Sequence, residues 1–173
     1  MNGSTEMQSN MLSQFISGSV CAECRFCCRF SPQSIWEMPL FPAETMEAVR
    51  AKAAGPVTFV REGDCFRIDA GKVCGEYMCP FLDVRSGCVL DAETKPFDCR
   101  IWPLRVMRVR GEPAVCLTPT CPQVSMTETF VSHVRRHLAA DLFAYAQAHP
   151  FVIKEYRENF PLICTFSEAG RAD

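Results

Sequence analysis

The chain has 173 residues, 48% of them hydrophobic, and a nearly even charge of 18 Lys and Arg against 20 Asp and Glu, the profile of one domain with an ordinary core. That balance excludes a dedicated nucleic-acid binder, which carries a basic surplus, and no stretch reaches the roughly 18 to 20 apolar residues of a membrane span. Cysteine is the outlier, at 12 residues.

Residues 1–17 are polar and rich in Ser, Asn and Gln, and are expected to be a flexible segment ahead of a single domain over 18–165. The first twenty residues show neither a positive cluster nor a continuous apolar run, so a cytoplasmic protein is expected rather than a secreted one. In that reducing compartment, crowded cysteines read as metal ligands before they read as disulfides. Pro42 to Pro56 carries helix punctuation: a proline in the first turn, early acids, late bases and a closing Gly55-Pro56. Val57–Val60 and Cys65–Asp69 read as strands around a turn at Glu62-Gly63-Asp64. Residues 74–103 are irregular, broken by Gly75, Pro80, Gly87, Pro96 and Pro103. Leu104–Arg110 and Ala114–Thr118 predict a hairpin around Gly111-Glu112-Pro113. Ser125-Met-Thr-Glu128 looks like a capping box opening the longest helix, to about Ala148, with Val131, Val134, Leu138, Leu142 and Tyr145 as its buried stripe. Residues 151–163 suggest a short docking element, and 166–173 a flexible tail. The fold class expected is a small α+β domain stapled by metal, with short antiparallel hairpins and two main helices.

Four cysteines fall within eight residues, Cys21-Ala-Glu-Cys24-Arg-Phe-Cys27-Cys28. Thiolates this close repel one another unless a cation compensates. Cys79, Cys88, Cys99 and Cys121 offer four more, and thiolate-rich sets suit iron or zinc. Cys-x-x-Cys-x-x-Cys opens like the bacterial ferredoxin run, and Cys79-Pro80 and Cys121-Pro122 supply its Cys-Pro ending. A zinc site more often pairs two Cys-x-x-Cys knuckles, and no second knuckle is present. The spacing therefore leans toward an iron–sulfur cluster (4Fe–4S) with Zn2+ still open. Neighbouring side chains diverge, so Cys27 and Cys28 are expected to serve two centres or to leave one thiol spare. Cys116 and Cys164 sit among apolar strand residues and read as core, and Cys65 and Cys74 read as hairpin core positions in preference to ligands.

The motifs Cys21–Cys28, Cys79-Pro-Phe-Leu-Asp, Gly87-Cys88-Val-Leu, Lys95-Pro-Phe-Asp-Cys99-Arg100-Ile-Trp-Pro103 and Thr120-Cys121-Pro122 together resemble the CxxCxxCC (YkgJ-like) family, described as zinc- or iron-chelating. The likeness spans about residues 21–122. Lys95 stands where the family has arginine, and Leu90 where it has tyrosine. The resemblance implies a chelated metal. Because a flagellin lysine methylase carries a similar cluster, it also raises an iron–sulfur methyl-transfer enzyme, or an accessory to one, as an alternative. No Gly-rich nucleotide loop follows a strand to hold the methyl donor. A third alternative is a zinc-folded structural or interaction module with an unidentified protein partner.

The expected ligand set is thus Cys21, Cys24, Cys27, Cys28, Cys79, Cys88, Cys99 and Cys121. Arg100, with Arg105, Arg108 and Arg110, forms a basic band beside Cys99 that either balances thiolate charge at the cofactor or is an exposed strand face. His133, His137 and Asp141 share a helix face but lack the metalloprotease glutamate after the first histidine, and read as a solvated face. Trp36 and Trp102 read as core aromatics.

Overall fold

The computed structural model describes residues 12, 14–16, 20, 23–70, 72–73, 75–83 and 85–170. They show a mixed α+β protein with antiparallel sheets, in two compact units, Met1–Arg100 and Ile101–Asp173.

In the first unit, a 3₁₀ turn over Phe26–Cys28 leads into β1 (Arg29–Phe30). β2 (Leu40–Pro42) runs into a 3₁₀ turn over Ala43–Thr45 and helix α1 (Met46–Ala51). The helix expected over this stretch is thus present but short, since its first turn is 3₁₀ and it ends at Ala51, ahead of Gly55-Pro56. β3 (Thr58–Glu62) and β4 (Cys65–Asp69) form the expected hairpin, and β4 also pairs with β2, giving the order β2-β4-β3. β5 (Lys72–Val73) and β6 (Glu76–Met78) form a second small sheet with β1, in the order β1-β6-β5. β7 (Leu82–Asp83) and β8 (Gly87–Cys88) make a two-stranded hairpin, and helix α2 (Phe97–Arg100) closes the unit. These short pieces share one core of Phe30, Met38, Phe41, Met46, Val49, Ile68, Phe81 and Leu90. Its aromatic centre has the Phe41 ring edge-on to Phe59 at 5.7 Å and tilted against Phe81 at 6.0 Å, geometries that ring quadrupoles favour.

The second unit is more regular. β9 (Leu104–Val109) and β10 (Glu112–Leu117) form the expected hairpin. Its two-residue turn, Arg110-Gly111, has φ of 51° and 89°, the doubly positive geometry that matches the twist of the flanking strands. Helix α3 (Glu128–His133) begins from Thr127, whose side chain accepts from the Phe130 N–H. The cap lies two residues beyond the Ser125 that the sequence suggested. A π-helical turn over Val134–Leu138 joins α3 to α4 (Ala139–Ala148). Its extra residue rotates the buried face, so Phe130, Val134 and Leu138 are followed inward by Ala139, Leu142, Phe143 and Ala146. Val131 and Tyr145, expected in the stripe, are only partly buried.

The docking element expected over 151–163 resolves into two strands. β11 (Lys154–Glu155) lies parallel to β9, and β12 (Leu162–Thr165) lies antiparallel to β10, giving the order β11-β9-β10-β12. The Arg135 guanidinium pins β12 by donating twice to the Ile163 carbonyl, at 2.9 and 2.7 Å. The segment read as a tail contains a capped helix, α5 (Phe166–Ala169), with a reciprocal capping box between Thr165 and Glu168.

Candidate metal centre

Local backbone geometry brings the first thiols together. Arg25 is left-handed, with φ 54° and ψ 12°, a conformation that costs a side-chain-bearing residue roughly 1–2 kcal/mol. It turns the chain sharply between Cys24 and Cys27. The 3₁₀ turn follows, with the Cys28 N–H donating to the Arg25 carbonyl at 3.1 Å. Within it the Cys27 and Cys28 sulfurs converge to 4.0 Å. The divergence expected of neighbouring side chains is therefore not what this turn produces. Two thiolates on one tetrahedral zinc ion, each at about 2.3 Å, stand about 3.8 Å apart. The adjacent pair fits one edge of such a site.

The later cysteines reach the turn through strand pairing. Arg29 faces Met78 and Phe30 faces Tyr77. The ladder continues one step outward, where the Cys79 N–H donates to the Cys28 carbonyl at 2.9 Å. The Leu82 N–H then donates back to the Cys79 carbonyl at 3.1 Å, and the Phe81 side chain between them is fully buried. This anchor sets β7 and β8, in which Leu82 is opposite Cys88. Asp83 shapes the hairpin: its Oδ1 accepts from the Ser86 N–H and hydroxyl, both at 2.8 Å, and from the Arg85 N–H at 2.9 Å. The Ser86 bonds are the main reason its carboxyl titrates below the usual range, with the positive charge of Arg25 adding to them.

Cys28 is the electrostatic centre of the group. Its hydrogen bond with Cys27 pulls its pKa down. The hydrogen bond with Cys79, burial, and the charges of Cys79 and Cys88 outweigh that and push it up to about 12. A thiophilic ion beside Cys28 would reverse that balance.

Of the expected ligands, Cys27 and Cys28 have sulfurs in contact, and Cys79 is tied to Cys28 through its backbone. Cys27, Cys28 and Cys79 are half-buried, whereas Cys24 and Cys88 are exposed. Cys99 is half-buried on α2 beside Arg100, and Cys121 is buried in the second unit. Cys21 and Cys74 lie outside the described residues. Among the described residues, no group of three or more His, Cys, Asp or Glu side chains is arranged to hold a metal ion. The donor set is soft and suits zinc or iron, and its closest pair has a single-ion spacing.

The remaining candidates resolve individually. Cys65, Cys116 and Cys164 are buried, as expected of core cysteines, and the Cys65 thiol donates to the Glu62 carbonyl at 3.0 Å. Burial pushes Cys116 up to about 12 and Cys164 to about 11. Arg105 is not on an exposed strand face. It is buried, its guanidinium carbon lies 4.7 Å from the Trp102 ring centre, and Nη1 donates to the Leu104 carbonyl at 3.2 Å. Arg108 and Arg110 are exposed. His133 and His137 stack at 5.0 Å, with His137 and Asp141 exposed as a solvated face requires. The left-handed Arg25 was missed in the sequence, because nothing in an Arg-Phe dipeptide announces a positive φ.

No family model, curated protein or solved structure matches this chain. Among the described residues, no helix is long and apolar enough to cross a membrane.

Proposed function

We propose that this chain binds a thiophilic metal, as zinc or as an iron–sulfur cluster, through the cysteines around the Cys28 turn. The observation that carries the reading is the 4.0 Å approach of the Cys27 and Cys28 sulfurs, at a turn to which the Cys79 backbone is tied by a 2.9 Å bond. The resemblance to the CxxCxxCC family supports the same chemistry, and under it Cys21, Cys24 and Cys99 add to the donor set of the first unit. Arg100 would lower the cost of gathering negative sulfurs. The 4.0 Å pair favours zinc at this turn, since two thiolates on one ion need that edge and each iron at a cubane corner takes a single terminal thiolate.

Elemental analysis of protein purified without oxygen tests the reading. Stoichiometric zinc or iron is expected, brown and bleached by dithionite if iron–sulfur, colourless if zinc. Cys27→Ser, Cys28→Ser and Cys88→Ser should each lower bound metal and thermal stability together, because site formation and folding are linked. The same coupled loss is expected for Cys21→Ser and Cys24→Ser, whereas Cys116→Ser should keep full metal. Full occupancy in all five ligand variants would refute the assignment.

A further inference from the structure

We propose that the metal-free centre is locked by a disulfide between Cys28 and Cys79, so that thiol oxidation controls metal uptake. What is regulated rests on the metal-binding reading; which pair closes rests on geometry alone.

Cys28 and Cys79 lie one step beyond the β1–β6 ladder. With Arg29 opposite Met78 and Phe30 opposite Tyr77, the next opposed pair is Cys28 and Cys79, joined by the 2.9 Å bond from the Cys79 N–H to the Cys28 carbonyl. The Cys28 N–H is taken by the Arg25 carbonyl, so the pair keeps one of the two bonds of a ladder pair, whose Cα atoms lie about 5.5 Å apart. That lies inside the roughly 4.4–6.8 Å a disulfide spans. Cys27 competes by sulfur position, 4.0 Å from Cys28. Its Cα, however, is about 3.8 Å away across a single peptide, short of the disulfide range, so closing that pair distorts the backbone and leaves an easily reduced bond. Cys79 therefore takes Cys28 in preference to Cys27.

The oxidant is a small-molecule disulfide such as glutathione disulfide. One protein thiolate attacks it, forming a mixed disulfide and releasing one small thiolate. The second protein thiolate then attacks the protein-side sulfur and releases the other. Two protein thiols lose two electrons and two protons, and the small disulfide leaves as two thiols. Both central sulfurs are then unavailable as ligands. Bound metal blocks the same step by occupying them.

The full chain, stripped of metal by a chelator, would be treated with glutathione disulfide, alkylated and mapped by mass spectrometry of its peptides. Zinc uptake would be measured on reduced and oxidised protein in parallel. A Cys28–Cys79 linked peptide is expected as the main product, with zinc affinity at least about tenfold lower and recovered on reduction. Cys28→Ser and Cys79→Ser should each abolish the link, and Cys116→Ser should leave it. A main product joining Cys27 to Cys28, or no intrachain link, overturns the pairing using wild-type protein alone. Equal zinc uptake by oxidised and reduced protein overturns the control of uptake. Reduced protein that takes neither zinc nor iron sinks the metal reading and its regulation together, while the peptide map still judges the pairing.

Discussion

Cysteine plays two opposite parts in this chain, and burial separates them. Cys116 and Cys164 are inside the β9–β10–β12 sheet, where a thiol behaves as a small apolar group. Their hydroxyl-free neighbours, Val115 and Leu117 beside Cys116 and Ile163 beside Cys164, made this legible in the sequence. The energetic consequence shows at alkaline pH. Below pH 9.0, the ordinary value, the Cys116 thiol is protonated in folded and unfolded chains alike; between there and about 12 only the unfolded chain releases its proton. Stability must therefore fall as pH rises through that window, by an amount on the order of a few kcal/mol. Cys116→Ala should flatten the fall, as measured by urea midpoints from pH 8 upward, roughly speaking, in unit steps. An unchanged slope would show that the thiol stays neutral in neither state or in both. Cys28 carries a raised pKa for a different reason, since other thiols surround it rather than aliphatic carbon.

At the scale of elements, patterning found most pieces, and close-range geometry decided their ends. The β3–β4 and β9–β10 hairpins follow from alternating apolar residues around Gly-containing turns. The long helix was visible in its apolar spacing, but its start and its π turn were not. Ser125 and Thr127 are both good caps, and only the path of the chain selects Thr127. Thr127→Ala should cost about 1 kcal/mol, and Ser125→Ala close to nothing. Denaturant titration of the two variants checks this, and equal costs would contradict the observed cap. The π turn escapes periodicity analysis because one inserted residue leaves each half of the helix with a normal repeat.

For the whole molecule, the two units differ in what holds them. The second has a four-stranded sheet with fully buried Leu104, Val106, Met107, Val115 and Cys116, and a long helix. The first is built from strands of two to five residues around a phenylalanine core, with its thiols at the strand ends. Regular structure of that length is marginal alone, so a bound metal would carry a large share of the first unit's stability. Chelation should therefore raise amide hydrogen exchange across residues 26–30 and 76–88, while residues 104–117 stay protected. Uniform exchange changes, or none, would argue against a metal-dependent first unit.

Composition, apolar periodicity and turn residues determined the α+β class, both main hairpins, the two helical regions and the burial of Cys65, Cys116 and Cys164, because each depends on residues near one another in the chain. The tie between Cys79 and the Cys27–Cys28 turn was decided by tertiary structure, since it needs a left-handed Arg25 and a strand register set across some fifty intervening residues. Local chemistry cannot encode that register. It emerges only when Phe30 and Phe81 are buried in the same core.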